Sequence, residues 1–260
     1  MSTPAATPAR DPLAPLMELD GVADAAARAT DAIAAVHRHR VNLRKWNVTG
    51  AESVLRGARS SAWLEGADPT VPDDGVVADP ALAAALRVAD RITPETIGET
   101  SRTFRRAPLQ VLARWAVLAD PRGDEHAEAL GRPVGDDRLT AEQKEQRLHA
   151  LGSLIAGGTS VPAAVLSGVV HGELLTLEPF AAGNGIVARA ASRLVCVTGG
   201  ADPRGLAVPE VHWTRHRAAY AGAARGFASG SRDGLRDWLL LHLGGLEAGA
   251  VEARGIAEAV

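Results

Sequence analysis

The 260-residue chain carries 31 acidic and 28 basic residues spread along its length, for a formal net charge of −3. That length can bury one substantial core. The near balance of charge argues against electrostatic capture of nucleic acid or of an acidic membrane surface.

The first dozen residues, rich in Ala, Thr and Pro, read as a loose tail. Helical patterning follows from Leu13 to about Arg44, broken at Asp20-Gly21, and a further helix is predicted over Ala51 to Leu64. Asp68 to Asp79, with Pro69, Pro72, Asp73, Asp74 and Gly75, is a loop. Helices are predicted over Pro80 to Arg91 and Pro94 to Arg105, then a short apolar one over Leu109 to Leu118. Asp120 to Asp137 is punctuated by Pro121, Gly123, Gly131, Pro133 and Gly135 and reads as a long irregular segment. A charged amphipathic helix over Leu139 to Ala156 leads through Gly157-Gly158 into an almost wholly apolar helix, Val161 to Leu177, with Ser160 placed to cap it and Pro162 near its first turn. Ile186 to Val197 is a second helix and Gly199 to Pro209 a loop. Trp213 to Phe227 and Leu235 to Leu246 complete the helical set. No sustained alternating pattern marks a strand, and no repeat appears, so the expected class is all-α.

The single cysteine, Cys196, lies in an apolar helical run and has no intrachain partner, which fits a buried thiol in a reducing compartment. The longest apolar stretch is interrupted by Gly168, His171 and Glu173, and the start has no charged segment leading into an apolar one. A cytoplasmic location is expected. His37 and His39 read as part of a solvated basic face, and His171 as a residue that packs or caps a polar contact. His212 and His216 have the i, i+4 spacing of helical metal ligands but no carboxylate or cysteine to complete a set, so no metal site is expected. Neither a nucleophile elbow nor a Walker loop is present.

The most specific stretch joins the two central helices: Glu178-Pro179-Phe180-Ala181-Ala182-Gly183-Asn184-Gly185-Ile186-Val187-Ala188-Arg189. Gly183, Asn184 and Gly185 stand where a helix begins, and there unpaired N–H groups and the helix dipole attract anions. The same glycines could equally build a plain helix-to-helix turn with Asn184 left-handed.

The stretch resembles the signature of the Fic (Fido) family, H-P-F-x-[DE]-G-N-G-R-x-x-R. Pro179, Phe180, Gly183, Asn184, Gly185 and Arg189 match in register. Family members bind ATP and usually transfer AMP to a protein hydroxyl. The resemblance implies a Fic-like helical domain in which Phe180, Gly183, Asn184, Gly185 and Arg189 bind ATP, another nucleotide or a phosphorylated small molecule. Three positions depart from it: the family's catalytic histidine falls on Glu178, its magnesium-binding acid on Ala182, and its first arginine on Ile186. Glu178 could serve as the catalytic base only if burial raised its pKa. Alanine ligates no metal, and the loss of one cation leaves Arg189 as the charged donor.

Upstream, Ser61, Glu65 and Gly66 resemble the family's inhibitory-helix motif, [ST]-x-x-x-E-[GN]. The resemblance implies an N-terminal inhibitory helix and an ion pair between Glu65 and Arg189 that would obstruct a terminal phosphate. It also implies a hairpin flap for holding a protein target, and no hairpin pattern is visible here. The implied organisation is 1–49 as tail and helices, 50–247 as the Fic-like domain, and 248–260 as a C-terminal tail. The leading expectation is a degenerate member that binds a nucleotide or phosphate without AMP transfer and acts as a sensor or regulator. The alternatives are an active transferase with Glu178 in place of histidine, acting on a protein target, and a ligand-free interaction module.

Overall fold

The computed structural model describes residues 11–73, 75–122 and 131–260, and every regular element among them is helical. Five helices lie ahead of residue 120: α1 (Val22–His37), α2 (Asn42–Leu64), α3 (Pro80–Ala89), α4 (Ile97–Arg106) and α5 (Pro108–Ala119). Six follow: α6 (Ala141–Ser153), α7 (Ala163–Leu177), α8 (Asn184–Thr198), α9 (Pro209–Arg215), α10 (Arg217–Ala228) and α11 (Arg232–Glu258). The helix starts follow local chemistry. Asp79 accepts the N–H groups of Ala81 and Leu82 at α3, Thr140 and Gln143 form a reciprocal capping box at α6, and Ser231 accepts Gly234 N–H at α11.

The antiparallel pair α7 and α8 is the spine of the molecule. Both are buried around nearly their whole circumference, α7 because it is almost wholly apolar and α8 with Arg189 and Arg193 held in ion pairs to Glu65 and Glu210. On one side they share a core with α2 to α6, through Leu82, Phe104, Leu112, Trp115, Leu174 and Leu194. On the other, α7 packs with α1, α10 and α11 around Ile33, Val165, Trp238 and Leu243. Among the described residues no helix is long and apolar enough to cross a membrane.

Several predicted boundaries shift, and glycine accounts for the largest shifts. The segment 248–260, expected as a tail, is helical to Glu258 and buries Gly249, Ala250, Ala253, Ile256 and Ala257. Its glycines suggest an ending, yet they create room: a Cβ on Gly249 would lie 2.5 Å from the Pro209 nitrogen, and one on Gly245 would strike the Trp213 indole. Likewise the helix predicted from Ala51 extends back through Gly50, a contact point where a Cβ would meet Pro94 Cγ at 3.1 Å, and α2 carries a kink at Lys45 (φ −126°, ψ 27°) near its start at Asn42. The helix expected over Trp213 to Phe227 is two, broken at His216 (φ −121°, ψ 37°). Ser160 does not cap α7, whose cap position is Pro162. Its hydroxyl instead donates to Asp11 Oδ2 at 2.7 Å. His37 is not on a solvated face, since its Nε2 lies 2.7 Å from the buried Asp202 carboxylate. The expected tail at residues 1–10 and the part of the irregular segment at 123–130 lie outside the described residues.

Candidate functional site

Two helix termini face each other at the centre of the molecule. The C-terminus of α2 closes with Gly66 in the left-handed region (φ 92°), Gly66 N–H donating to Trp63 O and Ala67 N–H to Ala62 O. This double bond pattern is the glycine-terminated stop that satisfies the last carbonyls of a helix, and it leaves Glu65 as the C-cap. Opposite, α8 starts after Gly183 (φ 69°, ψ 14°), with no side chain capping it. Among the described residues no carbonyl accepts the N–H groups of Asn184, Gly185 or Ile186, and the first helical bond is Val187 N–H to Gly183 O.

Between the termini lies Arg189, one turn into α8 and 2% exposed. Its Nη2 is 2.5 Å from Glu65 Oε1 and 3.1 Å from the Ser61 carbonyl, and its Nε donates to Ser61 Oγ at 2.8 Å. Ser61, Glu65 and Arg189, which lie far apart in sequence, are thus brought together. Burial works against the charge on Arg189, but the Tyr220 and Glu65 oxygens more than offset it and hold its pKa above the ordinary arginine value. Gly185 makes the approach possible. A Cβ there would collide with Glu65 Oε1 and lie 3.1 Å from both terminal nitrogens of Arg189. The Glu65 carboxylate therefore rests where the uncapped α8 terminus, Gly185 and Arg189 converge. Beside Arg189 remains a cavity of about 20 Å³, lined also by Ser61, Ile186 and Glu210, room for one water.

The other motif residues serve the loop. Asn184 is helical, and the left-handed residues are Gly183 and Glu178. The Asn184 side chain accepts Phe180 N–H at 2.9 Å and donates to Phe180 O at 2.8 Å, closing the loop on itself. Phe180 points into the core, and Ile186 is buried there too. Asn184→Ala removes both loop bonds and is expected to cost about 1–3 kcal/mol of stability, measured by urea denaturation; an unchanged midpoint would show the loop to be held by packing alone.

Glu178 has a different setting. It ends α7 with φ 45° and ψ 59°, a conformation costing a non-glycine residue about 1–2 kcal/mol. Lys144, 2% exposed, offsets this by donating to the Glu178 carbonyl at 2.8 Å while pairing with Asp136 at 2.9 Å. The Glu178 side chain is 60% exposed and lies 3.1 Å from Arg138 Nη2. It lacks the burial that the base role requires. The segment after residue 130 meets the loop by one backbone bond, Val134 N–H to Pro179 O at 2.8 Å.

A series of buried polar groups, not anticipated from the sequence, continues inward from Arg189. Arg189 Nη1 donates to Tyr220 Oη at 3.4 Å, Tyr220 Oη is 2.8 Å from His171 Nε2, His171 Nδ1 is 3.3 Å from His242 Nδ1, and His242 Nε2 is 2.9 Å from Ser167 Oγ. Ser167 donates its one hydrogen to Ala164 O at 2.8 Å, so His242 Nε2 must carry a proton to give to Ser167. His242 Nδ1 then accepts from His171 Nδ1–H, His171 Nε2 accepts from Tyr220, and every bond points the same way. Burial pushes His242 down to about 3, and burial, His242 and Arg189 push His171 well below its ordinary range, so both are neutral near pH 7. Burial also raises the Tyr220 pKa, against the opposing pull of Arg189. The one available signal was a lone histidine in each of two apolar helical runs, at 171 and 242.

The His212 and His216 rings lie with centroids 4.2 Å apart and tilted by 31°, and His216 Nδ1 bonds the His212 carbonyl. Among the described residues no group of three His, Cys, Asp or Glu side chains is placed to hold a metal. Compared with models of known protein families and with curated proteins, the chain matches none.

Proposed function

We propose that the protein is a degenerate Fic-like sensor or regulator that binds a nucleotide or phosphorylated small molecule at the α8 N-terminus and has lost AMP transfer. One observation carries the reading: the Glu65 carboxylate occupies the meeting point of Arg189, Gly185 and the uncapped α8 terminus, as an internal anion in an anion seat. A phosphate oxygen makes the same charge-assisted bonds as a carboxylate oxygen. Because the Glu65 carboxylate itself fills the seat, its Oε1 lying where a Cβ on Gly185 would stand, a ligand enters as Glu65 leaves, and Glu65 at the end of α2 has room to do so, its side chain being 32% exposed. The loss of transfer rests on Ala182, which offers no metal ligand, and on Glu178, which is exposed and paired with Arg138.

The test is binding of ATP, ADP and inorganic phosphate to the wild type, Glu65→Gly, and the double variant Glu65→Gly with Arg189→Ala. Removing the competing carboxylate is expected to tighten binding at least tenfold, and removing Arg189 as well to abolish the gain. Equal affinity in wild type and Glu65→Gly would sink the proposal. Labelled AMP appearing on a protein in a lysate treated with the wild type would refute the loss of transfer.

A further inference from the structure

The outward face of α2 carries a second arrangement, independent of Arg189. While Ser61 and Glu65 turn inward, Arg56, Ser60 and Trp63 follow one another at i, i+4 and i+7 along the opposite side, with Arg59 beside them. They line one wall of a surface cavity of about 390 Å³ whose other wall is α9, with Thr214 and Arg215. That volume falls within the usual range of small-molecule sites, roughly 300–1,000 Å³.

The charges in it are unequally committed. Arg56 is spent on Glu52 and Glu252, at 2.5 and 2.6 Å. Arg59 uses only its Nε, donating to Pro69 O at 2.7 Å, and among the described residues its terminal nitrogens meet no carboxylate. Among the described residues the one carboxylate that Arg215 reaches is Glu252, at 3.9 Å, and that group already holds Arg56. Arg217 stands over the Trp63 ring, 5.2 Å from its centroid. Trp63 itself is 37% exposed, a large indole left at the surface in a protein with few aromatic residues.

We propose that this cavity binds a small aromatic anion, a planar ring bearing a phosphate, with the ring against Trp63 and the anionic group between Arg59 and Arg215. The ring stacks on the part of the indole that faces the cavity, while Arg217, which does not line the cavity, holds the indole from its own side. Guanidinium groups with unused paired N–H donors match the geometry of phosphate oxygens. Ser60 Oγ supplies a further hydroxyl at the edge of the cavity.

The test uses the full chain and AMP, phenyl phosphate, adenosine and inorganic phosphate as probes. The readout is the Trp63 indole N–H resonance, assigned by its absence in Trp63→Phe. AMP and phenyl phosphate are expected to shift it saturably, with inorganic phosphate and adenosine each at least tenfold weaker. Arg59→Gln combined with Arg215→Gln, both exposed positions, should weaken phenyl phosphate at least tenfold without lowering the melting temperature. Glu65→Gly should leave the Trp63 response intact, which separates this site from the Arg189 seat. No shift with millimolar AMP or phenyl phosphate, or undiminished binding in the double variant, would overturn the proposal.

Discussion

Lowering the pH from 6 to 4 is expected to withdraw up to about 5 kcal/mol of folding stability, most of it through two residues, His171 and His242. Both are fully buried, and in the folded state both resist protonation, His242 down to about pH 3. In the unfolded chain each titrates near its ordinary value of 6.5. Above that value neither state binds the proton and the full stability is present. Below it the unfolded state gains protons that the folded state refuses, so stability falls by about 1.4 kcal/mol per pH unit through His242, and His171 adds to the fall in the same direction. The groups facing them, Tyr220, Arg189 and Ser167, offer no negative charge that would reverse the sign. Paired carboxylates such as Asp202 lose their contribution lower, through and below the ordinary aspartate value of 3.8. The melting temperature should therefore drop by up to about 10–20 °C between pH 6 and 4. His242→Gln, which keeps a donor and an acceptor but removes one titration, should make the slope shallower. A flat melting temperature down to pH 4.5 in the wild type would refute the account.

Gly183→Ala is expected to destabilise the fold by about 2–5 kcal/mol, far more than the same change at Gly66. Both glycines have positive φ, 69° and 92° respectively, so each loses about 1–2 kcal/mol to backbone strain. Their surroundings then separate them. A Cβ on Gly66 meets nothing within 4 Å, whereas one on Gly183 would drive into the Ala119 carbonyl, 2.7 Å from its carbon, where the chain leaves α5. Backbone cannot swing aside as a side-chain end can, so α5 and the α8 terminus must separate, at an overpacking cost of about 1–3 kcal/mol. Urea denaturation of the two variants measures the difference directly. Equal losses would mean that the contact with Ala119 relaxes without cost.

The helical class and most of the helices are legible in the sequence because their signals are local. Pro80, Pro108 and Thr140 mark starts, and the apolar run up to Leu177 announces a buried helix. The interior is less legible. Nothing local links Glu65 to Arg189 across 124 positions, and their pairing could be anticipated only through a motif resemblance. The contacts among His171, Tyr220 and His242 leave no periodic trace at all, since each residue merely interrupts an otherwise ordinary stretch. Glycine was the main source of misplaced boundaries. At Gly66 and Gly183 it ends or begins a helix through a positive φ, while at Gly50, Gly245 and Gly249 it lies within a helix and admits a neighbour. The letter is the same in both cases, and only the tertiary partner distinguishes them. The Glu178 setting was hidden for a related reason: its left-handed backbone depends on Lys144, 34 positions earlier.

The one-way hydrogen-bond series from Arg189 to the Ala164 carbonyl has a consequence for charge movement. A relay that conducts protons must let each member pass briefly through a protonated state and then reverse its bond. Here both ends are fixed, one by a guanidinium that only donates and the other by a carbonyl that only accepts. The two imidazoles between them are held neutral by burial. The series is therefore an insulator: with its direction fixed at both ends and both imidazoles neutral, it joins Arg189 to α11 and α7 without a net proton crossing the core.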